Sequence, residues 1–171
     1  MQKLRTLLLW VVTIGALLFI NYAIYGKEQL IATGQPIYLA LAPVDPRSLI
    51  QGDYMALRYA IAADLETQYL DNQTLPPRGQ LVIAVDKKGV ATFVRVADGT
   101  SLAANERLLN YYKHDWGINL GPDAFFFQEG TADRYATAEY GELRVDASGA
   151  VVLVGLRDEA LNLLGRVEGL E

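Results

Sequence analysis

The chain contains no cysteine. Disulfides, thiol nucleophiles, zinc–thiolate sites and iron–sulfur clusters are thereby excluded together. It contains 1 histidine, His114, so no metal site or catalytic motif built on two imidazoles can form. Basic runs are missing too. Of the 15 Lys and Arg, Lys3 and Arg5 precede a long apolar run, leaving 13 against 20 Asp and Glu, a net −7. A nucleic-acid binder needs clustered cations to replace phosphate counterions, so no nucleic-acid partner is expected. The carboxylates, among them Asp45, Asp53, Asp86, Asp115, Asp123, Glu129, Asp133, Glu139 and Glu142, nowhere show the spacing of a calcium loop. Most of them read as a solvated surface, and no metal or cofactor is expected. Internal repeats, low-complexity tracts and β-α-β alternation are likewise absent.

Charge is also missing from one continuous stretch. Thr6 to Gly26 reads TLLLWVVTIGALLFINYAIYG without a charged side chain. About 20 residues of helix span roughly 30 Å, the hydrocarbon thickness of a bilayer. Trp10 lies near one end and Tyr22 and Tyr25 near the other, the positions aromatic rings favour at membrane–water interfaces. Asn21 is the one strongly polar side chain and lies near the end of the run, where its cost is lower. A cleaved signal peptide and a buried core helix are the competing readings. The run exceeds the ~7–15 residues of a signal-peptide core, and the small-x-small sequence after it, Ala40-Leu41-Ala42, lies too far downstream and inside an expected strand; so uniformly apolar a core helix would be odd in a small domain. A permanent single-pass anchor is expected. Lys3 and Arg5 before the run, against Lys27 after it and Arg47 farther on, place the N-terminus in the cytoplasm and the rest outside. In a bacterium that is the periplasmic side of the inner membrane.

The expected organisation is a cytoplasmic stub and transmembrane helix over 1–26, a polar connector over 27–36 and one extracytoplasmic domain over 37–171. Strands are expected at Ile37–Ala42 and Tyr54–Ile61, the latter with Met55, Leu57, Tyr59 and Ile61 on one parity and Tyr54, Ala56, Arg58 and Ala60 on the other. Gln80–Asp86 and Val90–Ala97 flank Lys87-Lys88-Gly89, and Tyr140–Asp146 and Val151–Leu156 flank Ala147-Ser148-Gly149; both read as hairpins. Arg107–Lys113 is read as a strand. Short helices are expected at Ala62–Leu70, at Thr131–Glu139 with Thr131 as cap, and at Arg157–Leu164. Short strands joined by hairpins predict a mainly β domain, an antiparallel sandwich or open barrel with one or two short helices.

Two stretches are dense in features. The first runs Asp45-Pro46-Arg47-Ser48-Leu49 to Gly52-Asp53-Tyr54, with Leu57 and Tyr59 following. The second runs Phe125-Phe126-Phe127-Gln128-Glu129-Gly130 and continues, past Tyr135, to Tyr140-Gly141-Glu142-Leu143-Arg144. Gly-Asp before a strand is most simply a tight turn. Tyr54 and Tyr59 have opposite parity, so one ring should face the core and the other solvent or a partner. Glu129, after three phenylalanines, is expected to be partly buried and paired with Arg144 or Arg134. Tyr111, Tyr112, Trp116, Phe125, Phe126 and Phe127 read as core rather than as a ligand platform. His114 and Asp115, adjacent on the chain, point opposite ways on a strand and do not suit a dyad.

With G-D-Y-x-x-L-x-Y complete at Gly52, Asp53, Tyr54, Leu57 and Tyr59, the chain resembles the bacterial family named for the GDYXXLXY motif. Asp45 and Arg47 upstream, and Phe127, Glu129, Gly130, Tyr140 and Gly141 downstream, fit the same resemblance, which covers roughly 37–156. It implies a membrane-associated protein without a defined activity and a multi-pass membrane protein as partner.

Three functions are weighed. The first is a non-enzymatic, membrane-anchored accessory protein docking onto that partner. The second is a binding module for an envelope peptide or glycan. The third is a serine/lysine hydrolase with Ser48 as nucleophile. The third needs a neutral lysine beside the serine, and Lys87 and Lys88 in a hairpin tip, or Lys113, are poor candidates. No convincing catalytic set is found.

Overall fold

The computed structural model describes residues 2–42, 54–69, 75–115 and 117–167. Asp45, Arg47, Ser48, Gly52, Asp53 and Trp116, singled out above, lie outside the described residues.

The apolar run forms one helix, α1 (Gln2–Thr33). It is long and apolar enough to cross a membrane, and none of its apolar stretch is buried in the protein. Asn21 turns its amide inward, donating to the Leu17 carbonyl at 2.9 Å, so the polar group in the run is satisfied by the helix itself. Its 32 residues measure about 48 Å. The helix therefore outruns a bilayer core, and Lys27–Thr33, read above as a polar connector, are its last two turns. Helical bonding carries past the charged residues because the end of the helix docks on the domain: Leu30 is buried.

Past Gly34 the chain forms β1 (Gln35–Ala40), β2 (Tyr54–Ala56), α2 (Ala60–Tyr69), β3 (Arg78–Val85), β4 (Ala91–Val96), β5 (Glu106–His114), β6 (Gly117–Asn119), β7 (Ala124–Phe126), a 3-10 turn (Ala132–Tyr135), β8 (Tyr140–Val145), β9 (Val151–Arg157) and β10 (Leu163–Arg166). Two four-stranded antiparallel sheets, β1-β8-β9-β10 and β4-β3-β5-β6, carry the core, with β2-β7 as a separate ribbon. The sheets meet where the Tyr38 amide donates to the Gly89 carbonyl at 2.8 Å. On the other side the Asn110 amide reaches the Gly149 carbonyl at 2.9 Å. The result is a partly open barrel, mainly β, as its hairpin-rich sequence predicts.

Both expected hairpins form, by one chemistry. Asp86 Oδ1 accepts the amides of Lys88 and Val90 at 2.8 and 2.9 Å; Asp146 Oδ1 accepts those of Ser148 and Ala150 at 2.8 and 3.0 Å. Each turn then needs a left-handed residue, supplied by Gly89 and Gly149 with φ of 89° and 80°. Strand parity decides the core. Ile37 and Leu39, Leu81 and Ile83, Leu109 and Tyr111, and Leu143 and Val145 point inward and are buried. On β9 a bulge between Leu153 and Gly155 switches the parity, so Leu153 and Leu156 both face inward, and Leu65 of α2 joins the same core.

Two local expectations are corrected. Thr131–Glu139 holds only the short 3-10 turn, and the Thr131 hydroxyl donates to the Gln128 carbonyl at 2.7 Å instead of capping it. Arg157–Leu164 is no helix. Asp158 accepts the Asn162 amide at 2.8 Å, Leu161 takes a left-handed φ of 64°, and the chain returns as β10 along β9. Helix-forming residues lose there because the open edge of β9 offers ladder hydrogen bonds that a lone short helix cannot match.

Candidate functional site

The second half of the GDY stretch is shorter as a strand than its alternation suggests, yet the parity holds throughout. Met55, Leu57, Tyr59 and Ile61 are buried, while Tyr54, Ala56 and Arg58 are exposed. The strand stops at Ala56 and α2 begins at Ala60. A last turn of chain, Leu57–Tyr59, stitches the ribbon to the barrel. The Leu57 amide donates to the Asp123 carbonyl at 2.8 Å and the Ala42 amide to the Arg58 carbonyl at 2.7 Å.

Tyr59 is the pin of this joint. Its ring packs against Gly141, where a Cβ would stand 3.3 Å from the ring edge, and its hydroxyl donates to the Pro122 carbonyl at 2.8 Å. The two dense stretches of the sequence thus meet in the interior: Tyr59 from one fills the space left by Gly141 of the other. Leu57, Phe127 and Tyr59 are buried in the core, and Phe127 packs on Tyr135 with ring centroids 5.0 Å apart. Tyr140 lies across from Arg157 on β9.

The outer face of the ribbon is different. Tyr54 pairs with Phe126 across β2 and β7, with centroids 5.8 Å apart. Tyr54 is 39% and Phe126 66% exposed. On the opposite face, Met55 and Phe125 are buried in the core. The three phenylalanines therefore divide by strand alternation: Phe125 and Phe127 inward, Phe126 outward. Tyr112 is also exposed, beneath the Arg78 guanidinium at 5.4 Å, so the expected all-core aromatic cluster is split. The local signal for Phe126 is the period-2 alternation of the run, which turns the middle ring outward.

Beside the ribbon lies a cleft of about 300 Å³ between α2 and β6, lined by Leu57, Arg58, Glu66, His114, Ile118 and Asp123 among others. Glu66 forms an ion pair with Arg58 and accepts the Ile118 amide at 2.8 Å. It caps the outward N–H of β6, an edge strand. His114 and Asp115 are both exposed at the end of β5. Among the described residues no three His, Asp or Glu side chains gather where a metal could sit.

Glu129 is exposed, not half-buried; among the described residues the buried carboxylate is Glu142, paired with Arg157 at 2.7 Å. The reason is local. Gly130 takes a φ of 80° and the Thr131 amide returns to the Gln128 carbonyl at 3.1 Å, so Glu129-Gly130 forms the tip of a surface turn. Arg144 spends its guanidinium on the Gly34 carbonyl at 3.3 Å. Lys87 and Lys88 are exposed in the β3–β4 turn.

The two buried tyrosines make opposite predictions. Tyr59→Phe orphans the Pro122 carbonyl and should cost about 1–2 kcal/mol. Among the described residues, no group hydrogen-bonds the Tyr111 hydroxyl, so Tyr111→Phe should be neutral or stabilising. Burial, and then the charge of Asp123, raise the Tyr59 phenol above its ordinary value. A raised phenol pKa means the unfolded state loses its proton first. The stability from neutral Tyr59 is therefore complete below about pH 10 and falls above it by about 1.4 kcal/mol per pH unit. Urea melts between pH 8 and 11 should show this slope lessened in Tyr59→Phe; an unchanged slope would remove the assignment.

A family model described as "GDYXXLXY protein" matches residues 16–156. The match begins inside α1, upstream of the 37–156 region carrying the resemblance, so it takes in half the apolar run as well as the β domain. Neither a curated protein nor a solved structure matches the chain. With the family model covering most of the chain, from the second half of α1 through the ribbon to β9, this protein belongs to the GDYXXLXY family.

Proposed function

We propose that this is a single-pass, membrane-anchored accessory protein without catalysis of its own, whose β domain docks through the Tyr54–Phe126 face onto a multi-pass membrane partner. The observation that carries this reading is the two-faced ribbon. One face completes the core, and the other presents two adjacent aromatic rings to solvent, the residue type that anchors protein interfaces. The unburied helix α1 supports membrane attachment. The flanking charges favour an N-terminus in the cytoplasm and a periplasmic domain at a bacterial inner membrane.

The test is crosslinking in gentle detergent, comparing the native chain with a Tyr54→Ala/Phe126→Ala double variant. Both rings are exposed, so the variant should fold, within about 0.5 kcal/mol per site. It should lose the heterologous adduct the native chain forms. Recovery of monomer alone from the native chain, or equal adduct from both, would overturn the docking face.

A second reading, a module for an envelope peptide or glycan, draws on the cleft beside the ribbon, where Arg58 offers an exposed guanidinium. Loss of peptide or glycan binding in Arg58→Ala with the crosslink intact would favour it.

A further inference from the structure

Helix α1 reaches the barrel without a flexible joint. From Gly26 to Thr33 it continues for two turns, about 10 Å, and only Gly34 separates it from β1. The junction is held at Leu30, Gly34 and Gln35. Leu30 is buried. Gly34 has no room for a side chain, since a Cβ there would collide with the Leu30 carbonyl. The Gly34 carbonyl accepts from Arg144 at 3.3 Å, and Gln35 accepts from Arg107 Nε at 2.6 Å. Pairing of β1 with β8 starts at once, Gln35 opposite Val145. Residues 3–29, in contrast, are all exposed, so the helix projects from the domain and does not lie along it.

The Tyr54–Phe126 pair sits past the end of β1 that is far from the helix. Leu41 bridges Tyr59 in antiparallel sense and the Ala42 amide meets Arg58. Because 58–59 run against 41–42, Tyr54 lies beyond Ala42, on the side away from the helix. From Gln35 to Ala42 the extended chain covers about 23 Å.

We propose that α1 and the β domain form one rigid mount, which fixes the height and rotation of the Tyr54–Phe126 face above the membrane. It rests on the membrane-anchored docking reading and narrows the partner: the face meets an extramembrane element of the partner protein, held beyond the reach of lipid.

The cysteine-free chain allows clean spin labelling. The full chain, carrying Tyr25→Cys and Val94→Cys, both exposed positions, is placed in phosphatidylcholine discs for pulsed-dipolar distance measurement. The native junction should give a single narrow distance. Inserting Gly-Ser-Gly after Gly34 should spread it by roughly 10 Å, the reach of a short flexible linker. A native distribution as broad as that of the insertion variant would overturn the mount. Chain found outside the discs would overturn the membrane reading instead, while the distances measured there still judge the mount.

Discussion

Arg157→Met should lower the unfolding free energy by about 2 kcal/mol, between the loss of a surface pair and that of a fully buried one, because Glu142 is buried and Arg157 partly exposed. Glu142 is the buried charged side chain among the described residues, 8% exposed. Arg157 donates from Nε to its carboxylate at 2.7 Å and from Nη1 to the Leu161 carbonyl at 2.6 Å, while its guanidinium lies 5.2 Å from the Tyr38 ring centre. One side chain thus neutralises a buried carboxylate, secures the left-handed turn that starts β10 and covers the seam between β1 and the β3–β4 hairpin. Methionine retains the volume and abandons the rest. Glu142→Gln in the same background should recover most of the loss, because it removes the uncompensated charge. Arg157→Lys should fall between, keeping the charge without the planar fork. Urea unfolding of the full chain in micelles measures all three. A cost below about 1 kcal/mol for Arg157→Met, a surface-pair value, would mean the pair is solvated.

Leu17→Arg acts on the other half of the molecule. Leu17 lies near the middle of the Thr6–Gly26 run and is 54% exposed on α1. Placing arginine at mid-span disfavours insertion by about 3 kcal/mol relative to leucine, more than 100-fold in partition. The variant should leave the membrane fraction, with its β domain retaining native melting behaviour in solution, since no core residue lies near position 17. Leu30→Ala should do the reverse: it stays in the membrane and loosens the domain's seat on the helix.

Much of this architecture can be read from residues alone. The hairpins were legible because Asp and Gly bracket them at fixed spacing, and the buried side of the GDY strand because alternation survives even where pairing stops. The errors have a common source in tertiary context. Arg157–Leu164 has helical composition, but the free edge of β9 and the Asp158–Asn162 turn capture it as a strand. Glu129 follows an aromatic run, yet only one ring in two faces inward, and Gly130 turns the carboxylate to solvent. The Glu142–Arg157 pair is not legible in the sequence, since the counter-ion lies on the next strand and strand register cannot be read locally. Phe126 differs: strand alternation alone turns it outward between buried Phe125 and Phe127, while its pairing with Tyr54 depends on a ribbon that joins distant segments.

The most direct test of the anchored architecture is alkaline-carbonate extraction of membranes from cells expressing the native chain, followed by intact-mass measurement of the retained protein. The account predicts the full 18.8 kDa chain in the carbonate-resistant membrane fraction. A soluble chain shortened by its first ~26 residues, the outcome of signal-peptide removal, would contradict it.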